Sequence, residues 1–222
     1  MKKSDIWLQY APMSVAGVAI VALGVMYHQP FYKMLPMLNT LVIMLLSANA
    51  NRYSFLFGGL NAVLYGVVYF SEHIYFSAIS AVLISFPMQI FSFFYWNRRT
   101  TGASTRLARM RWRGWAIVIG SLVAGYAICY WLLLPFFLDA AFPWLDIFTF
   151  VLGIVITVMV SLCYVESQYL NVVNCTLGLV LWFMISSQNV SNINYLVIGC
   201  YNLFRVTQAS VVWTKKYREG TF

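Results

Sequence analysis

The sequence predicts an all-α polytopic membrane protein: two parallel three-helix repeats joined by a linker helix, with an extra helix at the N-terminus. Three observations carry that expectation. First, 62% of the 222 residues are hydrophobic and only 9% are charged. A soluble domain of this size exposes too much surface to hide so many apolar side chains, so lipid is the natural solvent. Second, the apolar residues fall into eight runs, roughly 11–27, 34–50, 54–71, 74–96, 114–134, 144–164, 169–187 and 193–213. About 20 apolar residues at ~1.5 Å rise cover a hydrocarbon core. Third, a weak likeness returns after 117 positions: Tyr65 meets Trp182, Trp96 meets Trp213, and Asn97-Arg98-Arg99 meets Thr214-Lys215-Lys216.

The runs are helices because unpaired backbone groups are intolerable in lipid, and a closed barrel would show short alternating strands. The first run follows Lys2 and Lys3. Pro12 interrupts its start and no clear small-residue cleavage site follows, so it reads as a retained helix rather than a signal peptide. The second run contains Asn39. The third carries Asn61 and Tyr65, four apart and therefore on one helical face. A short turn at Ser71–His73 leads to the fourth run, which carries Pro87 and Gln89 and ends at Trp96. Pro87 removes one helical hydrogen bond, so a kink is expected there.

The Arg-rich stretch 97–113 is the only substantial hydrophilic segment. It reads as a topology determinant, with anionic lipid headgroups as a secondary partner. The fifth run is the linker helix. In the seventh, Asn174, Gly178 and Trp182 share a face, and the eighth holds Asn202, Arg205 and Gln208. The expected division is 1–32 for the additional helix and 33–99 for the first repeat. Residues 100–140 form the basic cytoplasmic loop and linker, and 141–222 the second repeat and basic tail. Two odd units separated by one helix lie parallel about an axis along the membrane normal, the anatomy of a transporter.

Orientation follows from Lys and Arg. Eight spans put both termini on one side, together with Arg52, the Arg-rich loop and the basic tail, so that only Lys33 and Arg205 stand apart among the 14 basic residues. Both termini are therefore expected in the cytoplasm. Trp7, Tyr10, Tyr27, Trp96, Trp115, Trp144 and Trp213 lie near span ends, as in an interfacial belt.

The net charge of +8 does not point to nucleic acid, because the basic residues sit in short patches between apolar runs. Cys129, Cys163, Cys175 and Cys200 lie within apolar runs, with neither a metal-ligand nor a disulfide pattern. No cofactor is indicated. His28 and His73 fall in turns, and no nucleophilic triad or phosphate loop is present. An embedded enzyme would have to draw on Asp139, Asp146 and those histidines. A scaffold would tolerate loss of its buried amides.

Amides dominate the polar residues of the spans, and they suit a neutral or delocalised hydrogen-bonding solute. Aromatic rings beside them stack on flat heterocycles and attract cationic ones. The candidate substrate-binding residues are Asn61, Tyr65, Gln89, Asn174, Trp182 and Asn202. Arg205 is expected to snorkel or to pair with Glu166.

Several stretches together carry a family resemblance: FGGLNAVLYG (57–66), Gln89-Ile90 ahead of Trp96, AFPWLDIFTFVLGIV (141–155), YVES (164–167), and Asn174 with Trp182. In this order and spacing the chain resembles the PnuC-type bacterial vitamin transporters, the nicotinamide riboside transporter family, from about Asn51 to Gly220. The resemblance implies seven core helices in a 3+1+3 arrangement similar to a full-length SWEET sugar transporter. It also implies facilitated-diffusion uptake across the bacterial inner membrane, with a cytoplasmic kinase trapping the vitamin, and is compatible with a homo-oligomer. Nicotinamide riboside members typically carry a Trp-x-x-Trp pair where this chain has Gln168 and Asn171, and a Gly-Trp where it has Ser92-Phe93. That departure favours another vitamin, thiamine first and riboflavin next.

Overall fold

In the computed structural model the backbone is described for residues 3–48, 51–101, 104–105, 107–137 and 140–219. Lys2, Arg106 and Asp139 lie outside the described residues, as do the side chains of Lys3, Trp7, Asn97, Arg98 and Arg99.

Among the described residues eight helices follow one another, with a short 3-10 turn, Val190–Asn192, before the last. Helix α1 spans Lys3–Met26, α2 Phe31–Ala48 and α3 Tyr53–Ser71. Helix α4 is continuous but composite, with α-helix Tyr75–Ile79, a π-helical stretch Ser80–Ser85 and α-helix Phe86–Arg99. Helix α5 joins Trp112–Ile128 to a π-helical stretch Cys129–Leu133 and a 3-10 turn Leu134–Phe136. Helices α6 (Pro143–Ser161), α7 (Ser167–Gln188) and α8 (Asn194–Glu219) complete the chain. Six stretches, in α2 to α7, are long and apolar enough to cross a membrane, and Tyr10–Met26 is a shorter apolar stretch. Helix α8 is long enough, at 26 residues, but its amides, Arg205 and basic end make it more polar.

The helices touch in a closed order: α2 against α3, α3 against α4, α4 against α6, α6 against α7, α7 against α8, and α8 back against α2. The two contacts that join the repeats, α2–α8 and α4–α6, are equivalent under the 117-residue offset. This is the arrangement a two-fold axis along the bundle requires. Helix α1 covers the α2–α8 seam. Helix α5 covers the equivalent α6–α4 seam, through a cluster that includes Cys129, Tyr126, Phe76 and Phe150. The linker and the additional helix thus occupy matching places outside one six-helix ring.

Several details differ from the sequence-based expectation. Pro12 does not interrupt α1, which runs from Lys3 straight through it. Pro87 follows a π-helical stretch in which the Phe86 N–H reaches back five residues to the Ala81 carbonyl. Pro135 follows a similar stretch, where the Leu134 N–H bonds the Cys129 carbonyl. A wider turn gives a proline ring the room that regular α-helix denies it. Trp96 and Trp213 are not interfacial: each is 1% exposed, and their rings pack together in the core with Phe55 and Val165.

The Arg-rich connection forms a small antiparallel pair, Thr100–Thr101 with Ser104–Thr105. It then bonds the α6–α7 turn through Ala108 N–H to the Cys163 carbonyl, 2.9 Å, and Val165 N–H to the Ala108 carbonyl, 3.0 Å. Glu166 does not meet Arg205. It accepts from the Met110 N–H at 3.1 Å and lies 3.6 Å from Arg109. Arg205, 1% exposed, donates instead to Gln208 Oε1 at 2.7 Å, one helical turn along.

A candidate substrate cavity inside the helix ring

The inner faces of the ring line a cavity of about 420 Å³. Its wall combines amides, hydroxyls and aromatic rings with aliphatic side chains such as Ile43, Met44, Ile156 and Leu181. Helix α3 contributes Asn61, Tyr65 and Tyr69, which follow helical spacing along one face. Helix α4 contributes Ser77, Ser80, Ser85, Gln89 and Ser92, so its π-helical stretch forms part of the wall. Helix α7 contributes Gln168, Asn171, Asn174 and Trp182. Thr40 of α2 and Thr157 of α6, 117 positions apart, both line it, and each bonds the carbonyl four residues back, at 2.7 Å.

Five of the six predicted residues, Asn61, Tyr65, Gln89, Asn174 and Trp182, therefore meet at one cavity. Asn202 does not line it. The hydroxyls of α4 and the ring of Tyr69 escaped the sequence reading, because serines every few residues in an apolar helix carry no chemistry of their own. Gln168 and Asn171, where the sequence departs from the family pattern, both line the cavity.

The amides differ in how far the protein itself satisfies them. Asn61 donates to the Thr40 hydroxyl at 2.8 Å and accepts from Asn39 at 3.2 Å. Asn174 has its side-chain oxygen buried with no protein partner. A buried acceptor left open in a cavity wall is a place for a solute's donor. The aromatic side is a stack: Tyr65 on Tyr69 at 5.3 Å, Tyr69 on Trp182 at 6.1 Å, and Trp182 on Tyr195 at 3.9 Å and 13° between planes. Tyr69 and Trp182 each stand between two rings, so a flat heterocycle gains a stacking contact at Tyr65, the lining ring at the end of the stack, and meets the inner rings at their edges.

None of the described residues lining the cavity is Asp, Glu, Lys, Arg or His. Asp146 does not line the cavity; its carboxylate meets the lining residue Ser77. It is fully buried and accepts the Phe76 N–H at 3.1 Å, the Ser77 N–H at 3.2 Å and the Ser77 hydroxyl. It caps the first turn of α4 from α6, a structural use of its charge. His28 and His73 are exposed at left-handed turn positions, φ 51° and 58°. Among the described residues of this arrangement none forms a nucleophile–base pair.

The comparison with known families decides the affiliation. Residues 30–215 match the family model described as the nicotinamide mononucleotide transporter. The chain belongs to that family. A crystal structure of the vitamin B3 transporter PnuC shares the fold, with a TM-score of 0.82 over 96% of this chain and 92% of that one, at 20% identity. No curated protein matches the sequence. As a member of the nicotinamide mononucleotide transporter family, the chain is a multi-pass membrane transporter. The family match covers α2 to α8 through most of its length, the whole ring that bounds the cavity, and begins after α1.

Proposed function

We propose that the protein is a facilitated-diffusion carrier for an unphosphorylated water-soluble vitamin, with thiamine as the favoured substrate. The observation that carries this is the cavity wall: open amides, hydroxyls and stacked rings, with no charged side chain among the described residues that line it. A phosphate left without a cationic partner in such a wall would be costly, because charges taken from water demand pairing. A cation is better served, since aromatic faces attract it. Arg205, whose charge would repel a cationic vitamin at close range, donates to Gln208 and does not line the cavity. Gln168 and Asn171, where nicotinamide riboside members typically carry tryptophans, do line it, which supports a different substrate. Nicotinamide riboside and riboflavin are the alternatives for the same site.

Asn61, Tyr65, Gln89, Asn174 and Trp182 hold the vitamin in this reading, and the two repeats rock about it. A passive carrier cannot concentrate an unmodified solute, so accumulation requires a cytoplasmic kinase that phosphorylates the vitamin. The protein lies in the bacterial inner membrane, with both termini and the Arg-rich connection in the cytoplasm. It is a carrier rather than an enzyme.

Isothermal titration of the purified protein with thiamine, nicotinamide riboside and riboflavin tests the substrate. Binding of thiamine alone supports the reading, and binding of nicotinamide riboside alone overturns the weight placed on Gln168 and Asn171. Accumulation of unmodified vitamin in kinase-free vesicles would sink the passive mechanism.

A further inference from the structure

The end of the bundle opposite the chain termini is tied shut by a polar cluster that the cavity does not use. Lys33, at the start of α2, pairs with Glu72, which follows α3, and both side chains are 12% exposed. The second carboxylate oxygen of Glu72 accepts from Asn192 Nδ2 at 2.7 Å. Asn192 is fully buried in the short turn between α7 and α8. One carboxylate thus holds the first repeat to the second.

A second tie lies beside it. Gln29, between α1 and α2, donates to the Ser191 carbonyl and accepts from Asn194 Nδ2 at 2.5 Å. Tyr195 donates to the Lys33 carbonyl at 3.4 Å and lies flat on Trp182. Trp182 and Tyr69 line the cavity, whereas Lys33, Glu72, Asn192 and Tyr195 do not. The order from the cavity towards this face is therefore lining ring, Tyr195, polar cluster. Towards the opposite face the lining continues to Ser47, Ser54 and Gln168, at the far ends of α2, α3 and α7.

We propose that Glu72, bridging Lys33 and Asn192, is a gating latch that keeps the cavity closed on the face opposite the termini and must open for a solute to cross there. The proposal rests on the carrier reading of the cavity. Its chemistry suits a reversible closure. Closed, the carboxylate is matched by an ammonium and an amide at low exposure. Open, at the membrane surface, water solvates both charges, so neither state strands an ion. An apolar seal such as Trp96 against Trp213 has no comparable compensation on opening. Gly-free, polar and confined to turns and helix ends, the latch sits where small backbone changes separate the repeats.

The test reads access to the cavity and needs no substrate. Ala62, which lines the cavity, is replaced by cysteine in the full-length chain with its four native cysteines changed to alanine. A charged, membrane-impermeant maleimide is applied from each face separately. Glu72→Gln should raise labelling from the face opposite the termini by tenfold or more and leave labelling from the other face unchanged or lower. The exchanged pair Lys33→Glu with Glu72→Lys should bring labelling back towards the parent. Unchanged labelling in Glu72→Gln, an equal rise from both faces, or failure of the exchanged pair to restore closure overturns the latch. If the same proteins still bind thiamine, nicotinamide riboside or riboflavin in titration calorimetry, the latch alone has failed. Absence of labelling from either face in every variant overturns the latch and the carrier reading together.

Discussion

Trp96 and Trp213, 117 positions apart in the chain, pack ring against ring with centroids 5.8 Å apart at the termini end of the bundle. Two positions equivalent under a two-fold rotation can touch only where they straddle the axis. The pair therefore marks the axis; Thr40 and Thr157, related by the same offset, both line the cavity. Truncating either tryptophan to alanine should cost about 3–5 kcal/mol of stability, the usual range for a large buried ring. Because the rings touch, the double variant should cost less than the two single losses added, by about 0.5–1.5 kcal/mol. Thermal melts of the three variants in detergent measure this; strict additivity would mean that the rings do not support one another.

Asn174 and Asn61 should respond differently to substitution. Asn174 has an open buried oxygen, so Asn174→Ala should weaken vitamin binding about tenfold, ~1.4 kcal/mol, with little change in melting temperature. Asn61 also holds Thr40 and Asn39. Asn61→Ala should lower both affinity and melting temperature. Titration calorimetry and melts on the same preparations separate the two outcomes.

Gly58 allows α3 and α4 to meet at Gln89. A Cβ at Gly58 would lie 2.9 Å from the Gln89 amide carbon and oxygen, closer than such contacts permit. The long side chain can swing away, so Gly58→Ala should leave the fold intact and displace the amide from the cavity. The expected result is a loss of affinity comparable to that of Gln89→Ala, and almost none when alanine at Gly58 is added to Gln89→Ala.

Asp146 serves α4 rather than a reaction. Asp146→Ala leaves two backbone N–H groups and the Ser77 hydroxyl without their acceptor, at a cost of about 3 kcal/mol. The lowered melting temperature should accompany retained vitamin binding at low temperature. Loss of binding with an unchanged melt would assign the carboxylate a direct role.

Gln168→Trp combined with Asn171→Trp restores the aromatic pair typical of nicotinamide riboside members on the cavity wall. Affinity should move from thiamine towards nicotinamide riboside, read by competitive titration of the double variant against the parent.

The sequence by itself determined the solvent, the helices and the repeat. The energetic demand that lipid-exposed backbone be paired fixes the secondary structure, and the near-absence of charge in the spans leaves amides as their polar chemistry. Spacing on single helices placed Asn61 with Tyr65 and Asn174 with Trp182. What it could not show is which helix faces turn inward, because an apolar helix in lipid is hydrophobic all round and lacks the polar stripe that marks an outer face in water. So tryptophans at span ends read as an interfacial belt until Trp96 and Trp213 met in the core. For the same reason Asn202 looked as plausible as Asn174, and the serines of α4 looked like filler. Only the closing of six helices into a ring decided which polar groups share one cavity. It also brought Lys33, Glu72 and Asn192, far apart in the chain, into a single contact, since their pairing depends on where the ends of four different segments come together.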